Sequence, residues 1–115
     1  MSFLLLILEP KDLRRTRTPE EGRAAYARMV DYCEKLQERG VLIGTNSLRS
    51  DAVRLKVEAG EKRVVDGPFA EAKELIGGYF LLQCDTREQA LGIAGECPAA
   101  EWASIEVRET GPCCD

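Results

Sequence analysis

One short segment of this sequence concentrates the side chains that could do chemistry. Asp66 stands before a Gly-Pro pair, and three more charged residues, Glu71, Lys73 and Glu74, follow closely. A Gly-Gly pair at positions 77 and 78 ends the segment. Such pairs usually interrupt regular structure, because Pro fixes φ and Gly adopts positive φ without steric cost. The pattern predicts a charged loop whose leading carboxylate could act as a base.

Asp66 and Lys73 each have a functional and a structural interpretation. Partial burial beside the ring of Phe69 could raise the pKa of Asp66 and make it a base. Alternatively, an Asp before Gly-Pro accepts hydrogen bonds from its own backbone and holds a turn. Lys73 could bind a carboxylate or phosphate of a ligand, or it could pair with the neighbouring glutamates in solvent. The sequence leaves these alternatives open.

Further candidate ligand-binding residues lie near the predicted strands. Asn46 and Arg49 follow the second strand, and an arginine can hold an anion through two parallel hydrogen bonds. Tyr79 begins the third strand of the main sheet, and Trp102 lies beside the last one. If these two rings share a face, they form an aromatic wall. Such a wall suits a small-molecule site and also a dimer interface.

The absence of histidine narrows the possible chemistry. It excludes imidazole as a base, as a metal ligand and as the partner of a nucleophile. Five cysteines occur without C-x-x-C spacing, so we interpret them as free thiols. The adjacent Cys113 and Cys114 are a poor chelator alone, because zinc normally takes four ligands. Neither nucleotide-binding glycine fingerprint is present. We therefore expect no metal and no cofactor.

Length and charge limit the class of protein. A chain of 115 residues is one domain with room for a hydrophobic core. A net charge of -4 argues against nucleic-acid binding. The apolar run 3–8 is too short for a bilayer, which needs about 20 residues, and it lacks the basic start of a signal peptide. We expect a cytoplasmic protein with one domain over residues 1–110 and a flexible tail at 111–115.

The elements that position the candidate residues follow from hydrophobic periodicity. Strands are predicted at residues 3–8, 41–45, 52–58, 63–65, 79–83 and 103–108. One helix begins at the cap Thr18 and ends at Gly40, and a second begins at the cap Asp85. Residues 11–17 are predicted to be a loop. The order, βαβ, hairpin, βαβ, is an α+β ferredoxin-like plan with an antiparallel sheet.

The predicted topology leaves one face of the sheet open. Right-handed crossovers put both helices on the same face. The first strand is apolar on both sides, so its other face also needs a cover. A second copy of the chain is the simplest cover. We therefore predict a homodimer that forms through the open sheet face.

The signature segment also carries a family resemblance. The run Asp66-Gly67-Pro68-Phe69, with residues 70–74 and Gly77-Gly78-Tyr79, resembles the YCII-related family in its DGPF-domain branch. The resemblance extends over most of the chain. It implies a dimeric α/β barrel with a cleft beside the sheet, and an aspartate from a proposed histidine–aspartate pair. One family member is similar to a lyase that removes chloride from a hydroxylated aromatic ring. Without histidine, Asp66 would need another group to orient it.

Two functions follow from these observations. The first is a small-molecule-binding protein, with Asp66 as the catalytic residue of a metal-free lyase-type enzyme in that cleft. The alternative is a non-catalytic ligand-binding or regulatory dimer, because DGPF-branch members are associated with extracytoplasmic-function sigma factors. Either function would use Lys73, Tyr79, Arg49 and Asn46 to bind the ligand, with no partner of nucleic acid or membrane.

Overall fold

The computed structural model describes residues 1–67 and 69–114. Pro68 of the signature run and Asp115 of the tail lie outside the described residues. The strands of the described part are β1 (Ser2–Pro10), β2 (Leu42–Ser47), β3 (Val53–Glu58), β4 (Glu61–Asp66), β5 (Glu74–Gln83) and β6 (Ser104–Glu109). The helices are α1 (Leu13–Thr16), α2 (Pro19–Glu38) and α3 (Arg87–Glu96). A short 3-10 turn, Pro98–Glu101, precedes β6.

The strands form one main sheet and one separate hairpin. The main sheet is antiparallel with the order β2-β5-β1-β6, and β3 pairs only with β4. Helix α2 leads from β1 across β5 to β2, and α3 leads from β5 across β1 to β6. This split βαβ arrangement is the ferredoxin-like plan. The predicted α+β fold with an inserted hairpin is therefore confirmed.

The long helix begins as its sequence predicts, but the second helix does not. Thr18 Oγ1 accepts the backbone N–H of Glu21 at 3.1 Å, and Glu21 Oε1 accepts the N–H of Thr18 at 2.8 Å. The prediction that Asp85 caps α3 was wrong. Thr86 is the cap, because its hydroxyl accepts the N–H of Gln89 at 3.1 Å. Asp85 instead donates its backbone N–H to the Gln89 side chain.

The core lies between the helices and one face of the main sheet. Alternate residues of β1 are buried there. Tyr32 of α2 donates its hydroxyl proton to the carbonyl of Ile93 in α3, at 2.6 Å. Its ring meets Phe80 of β5 edge-on, with 5.3 Å between ring centroids. Burial raises the pKa of Tyr32, so its hydroxyl stays protonated and the bond joins both helices to the sheet.

Several predicted boundaries were wrong at the same edge of the sheet. Strand β1 includes Glu9 and ends at Pro10, two residues later than predicted, because Pro10 still pairs with Glu74. The predicted loop at 11–17 contains α1. Asn46 is not in a turn but in β2, where it pairs with Tyr79. The strands are longer than hydrophobicity alone suggests, since pairing with neighbours continues past the apolar residues.

The glycine pair at 77 and 78 lies inside β5, although the sequence predicts a break there. Gly78 and Ile76 each pair with β1, and Gly77 between them is the extra residue of a β-bulge. A Cβ atom on Gly77 would lie 2.4 Å from Glu9 Oε2, so a side chain at this position would require the buried carboxylate to move. A Cβ on Gly78 would lie 3.0 Å from the carbonyl oxygen of Asn46. The pair permits a close approach of β1 and β2 to β5.

The face of the main sheet away from the helices is apolar at its centre. Leu4, Leu6 and Leu8 of β1 lie on it, because the residues between them are buried beneath the helices. The cross-strand neighbours of Leu6 are Tyr79 and Glu106. We call this surface the open face. Neither α2 nor α3 lies against it.

The β3–β4 hairpin stands away from the sheet. Its register puts four apolar side chains on one face, and each is about three-fifths exposed: Val53, Leu55, Val57 and Val64. The radius of gyration is 16.0 Å, whereas a compact domain of this length has about 13 Å. None of the described helices is long and apolar enough to cross a membrane.

Replacing Gly77 by alanine should destabilise the protein. The new methyl group would clash with the Glu9 carboxylate, and overpacking of this kind costs about 1–3 kcal/mol. Gly92→Ala is the matched control, because it lies in α3 with open space around it. Alanine there should stabilise by up to about 1 kcal/mol through helix propensity. Denaturant unfolding measures both, and equal effects of the two variants would contradict the packing at Gly77.

Candidate ligand-binding cavity

A cavity of about 630 Å³ lies between α2 and the main sheet. Small-molecule sites usually have about 300–1,000 Å³. Much of its lining is apolar and includes Ile7, Ala25, Tyr26, Met29, Val30, Phe80 and Trp102. Polar residues, among them Glu9, Arg14 and Arg17, lie between the end of β1 and the start of α2. Apolar walls with a few convergent polar groups are typical of a ligand-binding site.

Glu9 brings a buried negative charge to this cavity. It is 4% exposed, and no other Asp, Glu, Lys or Arg among residues 1–67 and 69–114 is buried. Arg14 Nε lies 2.6 Å from Glu9 Oε1 and compensates the charge. Oε1 nevertheless receives no hydrogen bond from the described part of the chain. Oε1 is closed to solvent and held by Arg14, so a ligand in the cavity would meet the other carboxylate oxygen, Oε2.

Arg14 has a positioning role, because its guanidinium is already occupied. Nη1 donates to the carbonyl of Leu48 at 2.6 Å, and Nη2 donates to the carbonyl of Gly77 at 3.1 Å. The side chain thus joins α1 to the segment after β2 and to the bulge in β5. Leu48 also donates its N–H to the Gly77 carbonyl at 2.9 Å. These bonds fix the polar end of the cavity.

The structure brings together two of the predicted ligand-binding residues. Asn46 Nδ2 donates to the Tyr79 hydroxyl at 2.8 Å, and the two residues are direct cross-strand partners. Both border the cavity. The register, however, puts Tyr79 opposite Leu6, so both side chains lie on the open face. Their backbone, rather than their side chains, faces the cavity.

The other predicted ligand-binding residues lie elsewhere. Arg49 Nε pairs with Asp51 Oδ1 at 2.9 Å, and its side chain is 88% exposed. Lys73 is exposed, and its carbonyl accepts the N–H of Lys11 at 3.0 Å. Neither Arg49 nor Lys73 lines the cavity.

Asp66, the predicted catalytic residue, is the exposed last residue of β4. It pairs with Val53 across the hairpin and does not line the cavity. The next N–H, from Gly67, donates to the carbonyl of Ala52 at 2.7 Å and closes the base of the hairpin. The role of Asp66 as a base stays a prediction.

The described residues of the signature run hold this hairpin base. The Arg54 guanidinium lies 3.7 Å from the ring centroid of Phe69, a cation–π contact. A Cβ on Gly67 would lie 3.3 Å from the same ring. Arg54 Nη1 also donates to Glu71 Oε1 at 2.8 Å. The pKa of Glu71 is lowered, first by its own backbone N–H and then by Arg54.

Sequence reasoning missed three residues of the cavity and misplaced a fourth. Glu9, Arg14 and Arg17 were assigned to a strand end and a loop. The missed signal is alternation, because Glu9 continues the buried series of β1 through Ile7. Trp102 does not share a face with Tyr79. It follows the 3-10 turn on the helix side, lines the cavity and has the Arg28 guanidinium 5.6 Å from its ring centroid.

Within residues 1–67 and 69–114, no three His, Cys, Asp or Glu side chains cluster so that they could hold a metal ion. The described cysteines are free thiols, and burial raises the pKa of Cys97. The lining of the cavity includes carboxylate, guanidinium, hydroxyl and amide groups and the thiol of Cys33.

Part of this sequence is similar to that of a known protein. An uncharacterized protein of Rhizobium meliloti (strain 1021) is 42% identical over 59 residues, which is 50% of this chain and 48% of that protein. The chain thus matches about half the length of this relative.

A solved structure shares the fold. It is 5-chloro-2-hydroxyhydroquinone dehydrochlorinase from Burkholderia phenoliruptrix AC1100, in complex with 2,5-dihydroxybenzoquinone. The TM-score is 0.55 at 14% identity, over 96% of this chain and 94% of that one. A family model for the YCII-related domain matches residues 1–112. The chain belongs to the YCII-related family.

Proposed function

We propose that this protein binds a small organic molecule in the cavity between α2 and the sheet. The observation that carries the proposal is the buried carboxylate of Glu9 at the polar end of an apolar cavity. Burying a charge is costly, and buried polar groups are normally hydrogen-bonded. A ligand that donates a hydrogen bond to Glu9 would satisfy it.

Lyase-type turnover is a second candidate, supported by one observation outside this chain. The solved structure with the same fold is a dehydrochlorinase bound to a dihydroxyquinone. In this chain, Glu9 is the buried carboxylate among the residues that line the cavity and would be the base in such a reaction. Asp66 could serve only a ligand that reaches the exposed end of β4.

A non-catalytic ligand-binding or regulatory protein is the alternative, including a link to sigma-factor-dependent transcription. It would use the same cavity without turnover. Three expectations from the sequence stay predictions. They are membership of the DGPF-domain branch, a cytoplasmic location and a domain limit at residue 110.

We also propose that two copies associate through the open face. Leu4, Leu6 and Leu8 form an apolar strip there, which suits a self-complementary interface. Cross-strand partners on β6 supply Glu106 and Arg108 beside the strip, and these opposite charges can pair across a two-fold axis. The exposed apolar side of the hairpin offers further surface for a partner.

A bulky residue in the cavity should abolish ligand binding. Ala25 lines the cavity, whereas Ala27 is exposed on α2 outside its lining. We would screen small organic acids and phenols, with 2,5-dihydroxybenzoquinone, by ligand-observed NMR. Ala25→Phe should remove the binding of hits by filling the site, and Ala27→Phe should retain it. A library without hits, or hits that bind Ala25→Phe as well as the parent, would overturn the proposal.

Removing the Asp66 carboxylate should hardly change stability. The side chain is exposed at a strand end, and substitutions of this kind usually fall within about 0.5 kcal/mol. Lys62→Ala, exposed on the same strand, is the control for the loss of an exposed charged side chain. Denaturant unfolding of Asp66→Ala measures the effect. A loss of about 1 kcal/mol or more would instead indicate that the carboxylate holds backbone amides of its turn.

A charge on the open face should prevent association. Leu6→Lys would place an ammonium group at the centre of the proposed interface, where it could still pair with Glu106 in the monomer. Leu91→Lys is the control, because Leu91 is exposed on α3. Light scattering after size exclusion should give a dimer mass for the parent and the control, and a monomer mass for Leu6→Lys. A monomeric parent at high protein concentration would refute the dimer.

A further inference from the structure

The polar end of the cavity indicates what class of molecule it takes. We infer that the ligand is a small hydroxylated carboxylic acid, whose hydroxyl donates to Glu9 and whose carboxylate pairs with Arg17. This inference rests on the proposed binding function and names the ligand class of that same cavity.

The hydroxyl is inferred from the state of Glu9. Its charge is already compensated by Arg14, which lies 2.6 Å from Oε1, and Oε1 itself has no accessible surface. The other oxygen, Oε2, is not closed off in this way and receives no hydrogen bond from the described residues, so it is the atom that a ligand would meet. A second cation beside Glu9 would meet the positive charge of Arg14. A second anion would be repelled by Glu9 itself. A neutral O–H donor fits both constraints, because it supplies the missing hydrogen bond and adds no net charge.

The carboxylate is inferred from Arg17. In this segment of the described chain, Arg14 pairs with Glu9 and Arg15 pairs with Asp12, whereas Arg17 forms no ion pair. Arg17 is half-buried and lines the cavity. A guanidinium offers two parallel donors that match a carboxylate. Of the two arginines that line the cavity, Arg17 is therefore the one that could pair with an acid group of a ligand.

The walls define the rest of the molecule. Met29, Phe80 and Trp102 line the cavity and favour an apolar body such as a ring. Glu34 also lines the cavity, from the exposed side of α2, and its charge disfavours a second acid group on the ligand. A monohydroxylated aromatic acid combines the required parts.

The test compares probes that differ by one group. The unmodified protein would be titrated by calorimetry with the ortho, meta and para hydroxybenzoates, with benzoate, and with phenol. Benzoate lacks the hydroxyl and phenol lacks the carboxylate. At least one hydroxybenzoate should bind about tenfold or more tightly than both, since each missing group leaves a polar partner unpaired.

Two variants assign each preference to its residue. Arg17→Gln should bring the affinity of the best hydroxybenzoate close to that of phenol, while Arg15→Gln, the control, keeps the difference. Glu9→Met, which removes both acceptor oxygens at a similar side-chain length, should bring it close to that of benzoate, provided that circular dichroism gives the parent spectrum. If Glu9→Met does not fold, the comparison of the five probes on the parent still decides the inference.

The failures of the two proposals are distinguishable. Equal binding of all five probes, lost in Ala25→Phe, would overturn the ligand class but support binding in the cavity. Absence of binding by every hydroxybenzoate would also overturn the ligand class. The broader library would then decide independently whether the cavity binds small molecules.

Discussion

The ion pair between Glu9 and Arg14 is the contact on which the arrangement of this fold depends. Burying an isolated carboxylate costs folding free energy. Removing one partner of a buried ion pair strongly destabilises the folded protein, because the other charge is left uncompensated. Arg14 of α1 compensates the charge of Glu9. It also donates hydrogen bonds to two backbone carbonyls, one after β2 and one at Gly77. A side chain at Gly77 would displace the carboxylate, so glycine suits this position. The buried charge of Glu9, the bulge at Gly77 and the path of the chain through α1 therefore depend on one another.

That dependence explains why a cavity exists beneath α2. Two adjacent stripes of this helix face inward. Tyr32 and Leu36 are buried, with the Tyr32 hydroxyl bonded to the carbonyl of Ile93. The other stripe, which includes Gly22 and Ala25, borders the cavity instead of filling it. Gly22 and Ala25 leave space on that stripe, and the connection held in place by Arg14 fixes the chain just before the helix begins.

The sequence was sufficient for the architecture but not for the site. Alternation and capping residues predict the order of elements, because these signals are local. The cavity depends on contacts between distant residues, such as Arg14 with Gly77, which are 63 residues apart. Glu9-Pro10 looks like a break after the strand, and only the pairing of Pro10 with Glu74 shows that both residues belong to the strand. Asp66 was predicted to be catalytic because it leads a charged segment of the sequence, although in the fold it is exposed at the hairpin base.

The signature run and the cavity therefore serve different parts of the molecule. Phe69 lies between Gly67 and the Arg54 guanidinium and fastens the hairpin at its base. The cavity is built around Gly77 and Gly78, later in the same stretch of sequence. Strand β5 is common to the cavity and the open face, because its glycines border the cavity while the Tyr79 side chain lies on the open face. A partner seated on the open face would thus contact the strand that forms the cavity floor.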